Sequence, residues 1–169
     1  MKKSLFVCAL FISASTFAQK QFQNETSGMI SSASGKIMQL AEAMPAEKYD
    51  WSPEDGVRSF ADILQHVIGT NYFFGSKMGA TTPEGVNDQE LKTKDDIIPA
   101  LKKSSAFISE AIKNVEDKDL ANKIEIPAPG EYTVTSAVLI AFSHCNEHLG
   151  QMIAYSRMNG ITPPWSEEK

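Results

Sequence analysis

Apolar residues recur at helical spacing in four stretches of the chain, and no stretch shows the sustained alternation of a strand. The first stretch runs from about Phe22 to Met44, with Met29, Ile30, Ile37, Leu40, Ala41 and Met44 roughly on one side. Pro45 and the segment Tyr49-Asp50-Trp51-Ser52-Pro53 end it. The second runs from about Phe60 to Met78. Ser59 precedes it as an N-cap, and Asp62 sits at the capping-box place. Ile63, His66, Val67, Thr70, Phe73 and Phe74 form its broad inner face. The third runs from about Asp96 to Val115, with Ile98, Leu101, Phe107, Ile108 and Ile112 as its stripe. Proline is tolerated only near a helix start, so Pro99 points to Asp95 or Asp96 as the cap ahead of Thr93. The fourth starts near Thr133 or Thr135 and ends at Met158 or Asn159. Gly160 follows as a C-terminal stop, and Pro163-Pro164 prevent continuation.

The longer connections fall between helices two and three and between three and four. Thr81 to Glu90 reads as a loop, and Lys123 to Ile126 suits a short extended piece. Four helices of about twenty residues without strong strands predict an all-α protein, an antiparallel four-helix bundle in a single domain. Thr162 to Trp165 is expected to fold back on the bundle.

The start of the chain has a different pattern. Lys2 and Lys3 precede an apolar run from Ser4 to Ile12, and Ser13 to Ala18 is small and weakly polar. That is the layout of a secretory signal peptide, with cleavage after Ala18 and an apolar core too short to remain as a stable membrane anchor. Residues 1–18 are therefore read as the signal and 19–169 as the domain. The protein is expected outside the cytoplasm, periplasmic or secreted. Cys8 would leave with the signal, so Cys145 would have no partner for an internal disulfide. Loss of Lys2 and Lys3 takes the formal charge from −5 to −7. That acidity, with no basic patch, argues against nucleic acid as a partner.

The chain has three histidines, and all fall inside helices. His144 and His148 are four residues apart, which places them on one helix face, one turn apart. His66 lies among Ile63, Leu64, Val67 and Phe73 and is expected to face the bundle interior. Each alone could be a core histidine bonded to a carbonyl or hydroxyl. Together they form a candidate site for one divalent metal, with coordination positions left for water or substrate. His144-Cys145-Asn146-Glu147-His148 also fits the H-x-x-E-H pattern of inverted zinc proteases. The short tail after His148 leaves little room for the downstream acidic ligand which that reading needs. Glu147 is either a solvated residue or a base. Asp62 either pairs with Ser59 or orients His66. Gln151 shares the face of His144 and either lines the site or caps a carbonyl. Cys145 points about 100° away from His144 and reads as a small buried residue ahead of a ligand or nucleophile. The methionines suit core filling. Trp51, Tyr72, Phe73, Phe74 and Tyr155 are candidates for a pocket wall.

These residues resemble the DinB/YfiT-like metalloenzymes. The likeness is carried by Ser59 to His66 on the second helix, by His144 to Ile153 on the fourth, by Asn159-Gly160-Ile161-Thr162-Pro163-Pro164, and by Trp51 and Pro53 ahead of the second helix. The resemblance implies a four-helix bundle, a zinc or nickel site on His66, His144 and His148, and homodimers. It also implies thiol-dependent transfer or isomerisation as reaction classes. Leu149 departs from the basic residue often found after the last histidine, and the signal peptide is a second departure. The expectation is thus a metal-dependent enzyme, of hydrolase or thiol-transferase type, acting on a small molecule. Its alternative is a bundle that captures a metal or small ligand without turnover. The sequence assigns no catalytic residue.

Overall fold

The computed structural model describes residues 20–86 and 91–166. The expected signal peptide lies outside the described residues. Four long helices account for most of the rest: α1 Gln21–Ala43, α2 Phe60–Lys77, α3 Lys94–Asn114 and α4 Val134–Met158. They form the all-α four-helix bundle that the periodicity predicts. A two-residue antiparallel pairing, β1 Lys123–Ile124 with β2 Tyr132–Thr133, closes a hairpin just before α4. Among the described residues no helix is long and apolar enough to cross a membrane.

Side-chain pairs fix the helix directions. Gln23 near the start of α1 donates to the carbonyl of Val115 just past the end of α3, and Lys94 at the start of α3 donates to the carbonyls of Glu42 and Met44. α1 and α3 are therefore antiparallel. Asn71 meets Ser104 and Gly75 meets Phe107, so α2 and α3 run the same way. His66 meets His144, while Arg58 ahead of α2 meets Tyr155 near the end of α4. α2 and α4 are therefore antiparallel. Helices α1 and α4 run in one direction and α2 and α3 in the other. The connection between the parallel neighbours α2 and α3 must return along the bundle, roughly 27 Å for an eighteen-residue helix, hence its length.

Local chemistry sets the helix ends. Ser59 and Asp62 form a reciprocal capping box: Asp62 N–H donates to Ser59 Oγ at 3.2 Å, and Ser59 N–H donates to Asp62 Oδ2 at 3.1 Å. Thr133 and Ser136 do the same for α4. α3 corrects the expectation from Pro99. Its cap is Thr93, whose hydroxyl accepts from Asp96 N–H at 3.2 Å, and Pro99 sits inside the second turn. The cap bond and the two first-turn acids, Asp95 and Asp96, favour an earlier start. The proline omits one ladder bond on an exposed face.

The core is built from Ile30, Ile37, Leu40, Ile63, Leu64, Ile68, Leu101, Ile108, Val138 and Met152, all essentially buried. Tyr49 plugs one end, donating to the carbonyl of Ala41 at 2.8 Å and meeting Phe60 edge-on. Ile97, rather than Ile98, is the fully buried member of the first turn of α3. Met44 and Met152 fill the core, but Met29 and Met158 are exposed. Trp165 folds back as expected, packing on the core with Lys36 over its ring.

Candidate metal centre

The interface between α2 and α4 brings the three histidines together. His66 comes from the second turn of α2. His144 and His148 come from consecutive turns of α4. His144 Nε2 lies 2.8 Å from His66 Nε2 and 3.1 Å from His148 Nε2, and the three ligand nitrogens all lie within 4.8 Å of one another. An ion about 2.0–2.1 Å from each nitrogen needs nitrogen separations of about 2.9–3.4 Å for right-angle to tetrahedral geometry. The 2.8 Å and 3.1 Å separations meet that within a few tenths of an ångström. The group can hold one divalent metal ion.

A hydrogen-bond chain fixes the tautomer of His148. The carbonyl of Arg58 can only accept, so Tyr155 Oη–H donates to it at 3.1 Å. Tyr155 Oη then accepts from Gln151 Nε2–H at 3.3 Å, which turns Gln151 Oε1 toward His148 Nδ1 at 2.9 Å. His148 thus carries its proton on Nδ1 and presents a lone pair on Nε2. A ring nitrogen held in this way by a neighbouring carbonyl is the usual support of a ligating histidine. Trp51 meets Tyr155 edge-on at 5.3 Å and holds the far end of the chain in place.

With His148 Nε2 an acceptor, one proton on His144 Nε2 cannot bridge both of its short contacts in line. An additional proton is disfavoured. Burial, then the neighbouring charges of His148, His66 and Arg58, lower the pKa of His144 from 6.5 to about 4. Three converging imidazole nitrogens are a donor set suited to a borderline cation.

The remaining sequence candidates separate cleanly. Asp62 is committed to the Ser59 cap. Glu147 is exposed on the outer side of α4. Cys145 is buried, 3.6 Å from Ser34 Oγ, and burial raises its thiol pKa. None of the three faces the histidines as a ligand would. Thr70, one turn beyond His66, places Oγ1 3.5 Å from His144 Nε2. The sequence places it on the inner face, but nothing in its spacing marks it as a site residue. Phe73 and Phe74 line a cavity of about 500 Å³ that opens beside His66 and His144. Ile126, Ala128 and Tyr132 of the hairpin segment also line it; the sequence suggests an extended piece at Lys123 to Ile126 but nothing that brings it to the histidines. Of the other aromatic candidates, Trp51 and Tyr155 stand behind His148, and Tyr72 lines a separate cavity.

Several solved structures share the fold. A DinB-like protein from Bacillus cereus ATCC 10987 superposes with a TM-score of 0.67 at 18% identity, over 78% of this chain and 89% of that one. A DinB-like protein from Bacillus subtilis gives 0.66 at 16% identity, over 82% and 93%. A conserved protein from Enterococcus faecalis gives 0.60 at 14% identity, over 82% and 95%. At these identities the likeness is one of fold. A comparison with curated proteins gives no match. The family model of the DinB superfamily matches residues 30–152, a span that contains all three histidines. This chain belongs to the DinB superfamily.

Proposed function

We propose that the protein is an exported metal-dependent enzyme that binds one divalent ion, zinc or nickel, through His66, His144 and His148. Its reaction would be of the hydrolase or thiol-transferase type on a small molecule. The observation that carries this reading is the convergence of three ring nitrogens on one point, with His144 Nε2 at 2.8 Å and 3.1 Å from its neighbours and its pKa held near 4. Such an ion, when bound, acts as a Lewis acid and lowers the pKa of what it coordinates. The chain's own residues do the rest. Gln151 and Tyr155 hold His148 in the Nδ1–H form, and Thr70 Oγ1 offers a hydrogen-bonding group where the cavity meets His144. Phe73 and Phe74 supply apolar lining beside it.

A turnover screen of the zinc-loaded and nickel-loaded protein tests the reading, with ester and amide hydrolysis and thiol transfer as the reaction classes. The account expects one class to turn over and His148→Ala to abolish it. A protein that holds its metal and catalyses none of these would favour the second reading, capture of a metal or small ligand without turnover. The exposure of Glu147 speaks for that second reading, because it leaves the cavity lining without a carboxylate base.

A further inference from the structure

The cavity beside the histidines has a composition that selects its ligand. Phe73 and Phe74 of α2, Ile140 of α4, and Ile126 and Ala128 of the hairpin line it. No carboxylate, ammonium or guanidinium lines it among the described residues. Its polar groups gather at one end, where His66, His144 and Thr70 Oγ1 meet. The hydroxyl of Tyr132 is committed to the carbonyl of Pro129 at 2.8 Å. Gly130 makes that turn feasible: its φ is +131°, and a Cβ there would come within 3.2 Å of Tyr132 Oη.

We propose that this cavity takes a molecule with an uncharged apolar body, aromatic or branched alkyl, and one small polar head, and that the head lies at His66, Thr70 and His144. The proposal rests on the metal reading of those histidines and adds the substrate class to it. Charge decides the class. Burying a carboxylate or ammonium against the phenyl and alkyl lining, away from the ion at the histidine end, is strongly unfavourable, whereas an apolar body gains in proportion to the area it removes from water. A cavity of about 500 Å³ is in the range that encloses a small organic ligand. A highly charged peptide thiol does not suit it. The hairpin carries the selectivity, because it supplies part of the lining and lies outside the bundle core.

The test compares two thiols of opposite character on the zinc-loaded protein, benzyl mercaptan and glutathione, by titration calorimetry. A neutral fluorescent dye, N-phenyl-1-naphthylamine, is titrated in parallel into metal-stripped protein, and metal content is measured on every sample. Ala128→Trp fills the cavity from an exposed hairpin position without touching the core. Ile140→Gln changes the lining from α4, and circular dichroism checks that both variants fold. Benzyl mercaptan is expected to bind at least about tenfold tighter than glutathione. Ala128→Trp should weaken benzyl mercaptan and dye by tenfold or more at unchanged metal content. Glutathione binding as tightly as benzyl mercaptan, or binding of benzyl mercaptan and dye unchanged in both variants, would overturn the proposal. Dye binding that Ala128→Trp removes, in a protein that takes up no metal, would sustain the apolar cavity and contradict the metal reading alone.

Discussion

His148 Nδ1 stands 2.9 Å from Gln151 Oε1, one turn along the same helix. The contact belongs to a chain that ends on a backbone carbonyl, so its polarity is fixed from the far end. Gln151 is therefore a positioning residue for His148. Gln151→Leu removes the acceptor and should weaken metal binding by about ten- to a hundredfold, read by competition with a chelator. Gln151→Glu keeps an acceptor and should retain most of the affinity. A purely structural role would not show that rescue.

The acid side of the pH profile should be sensitive to His144. Its folded-state pKa, about 4, lies below the ordinary 6.5, so the unfolded chain binds the proton more readily. The stability that follows from this is present above pH 6.5. It falls as pH drops from 6.5 toward 4 and levels off below. Metal-free protein should therefore lose thermal stability over that window, and His144→Gln should flatten the slope. Bound metal should be released over the acidic side as protons compete for the ring nitrogens. Melting curves at stepped pH, with and without chelator, check both statements.

The contact between α2 and α3 depends on Gly75. A Cβ there would lie 2.3 Å from Phe107 Cε1 and 2.9 Å from Cδ1. Gly75→Ala forces the ring aside and should destabilise by about 1–3 kcal/mol. Gly28→Ala, on the exposed face of α1 with nothing within 4 Å, should do the opposite. Helix propensity alone predicts a gain of about 0.5–1 kcal/mol. Denaturant unfolding of the pair separates packing from propensity.

Ser59 is the start signal of the helix that carries His66. Ser59→Ala removes the acceptor for Asp62 N–H and should cost about 1 kcal/mol. Metal affinity should stay within a few-fold, because the cap lies nearly two turns from the histidine. A large loss of metal with little loss of stability would show that Asp62 supports His66 and not the cap alone.

Much of this was legible in the sequence because helices announce themselves by period. Ile63, Val67 and Phe74 mark the inner face of α2, and His66 falls on it. His144 and His148 share a face by spacing alone, as does Gln151. What escaped the pattern is set by tertiary contact. Thr93 starts α3 because its side chain meets Asp96, and Pro99 is carried in the second turn at an exposed position. Met29 and Met158 obey the apolar spacing yet stay more than half exposed. The shared direction of α2 and α3 depends on which way a long connection returns, and no local residue encodes that. The cavity lining of Ile126, Ala128 and Tyr132 comes from a hairpin whose strands are two residues long, too short to give a periodic signal.

The central claim is that three histidines from two helices hold one divalent ion, and elemental analysis tests it most directly. The protein should be purified without a histidine tag, beside His66→Ala and His144→Ala variants of unchanged helix content. About one zinc or nickel per chain is expected in the parent and near none in either variant. No metal in the parent, even after reconstitution with both ions, or metal retained in both variants, would contradict it.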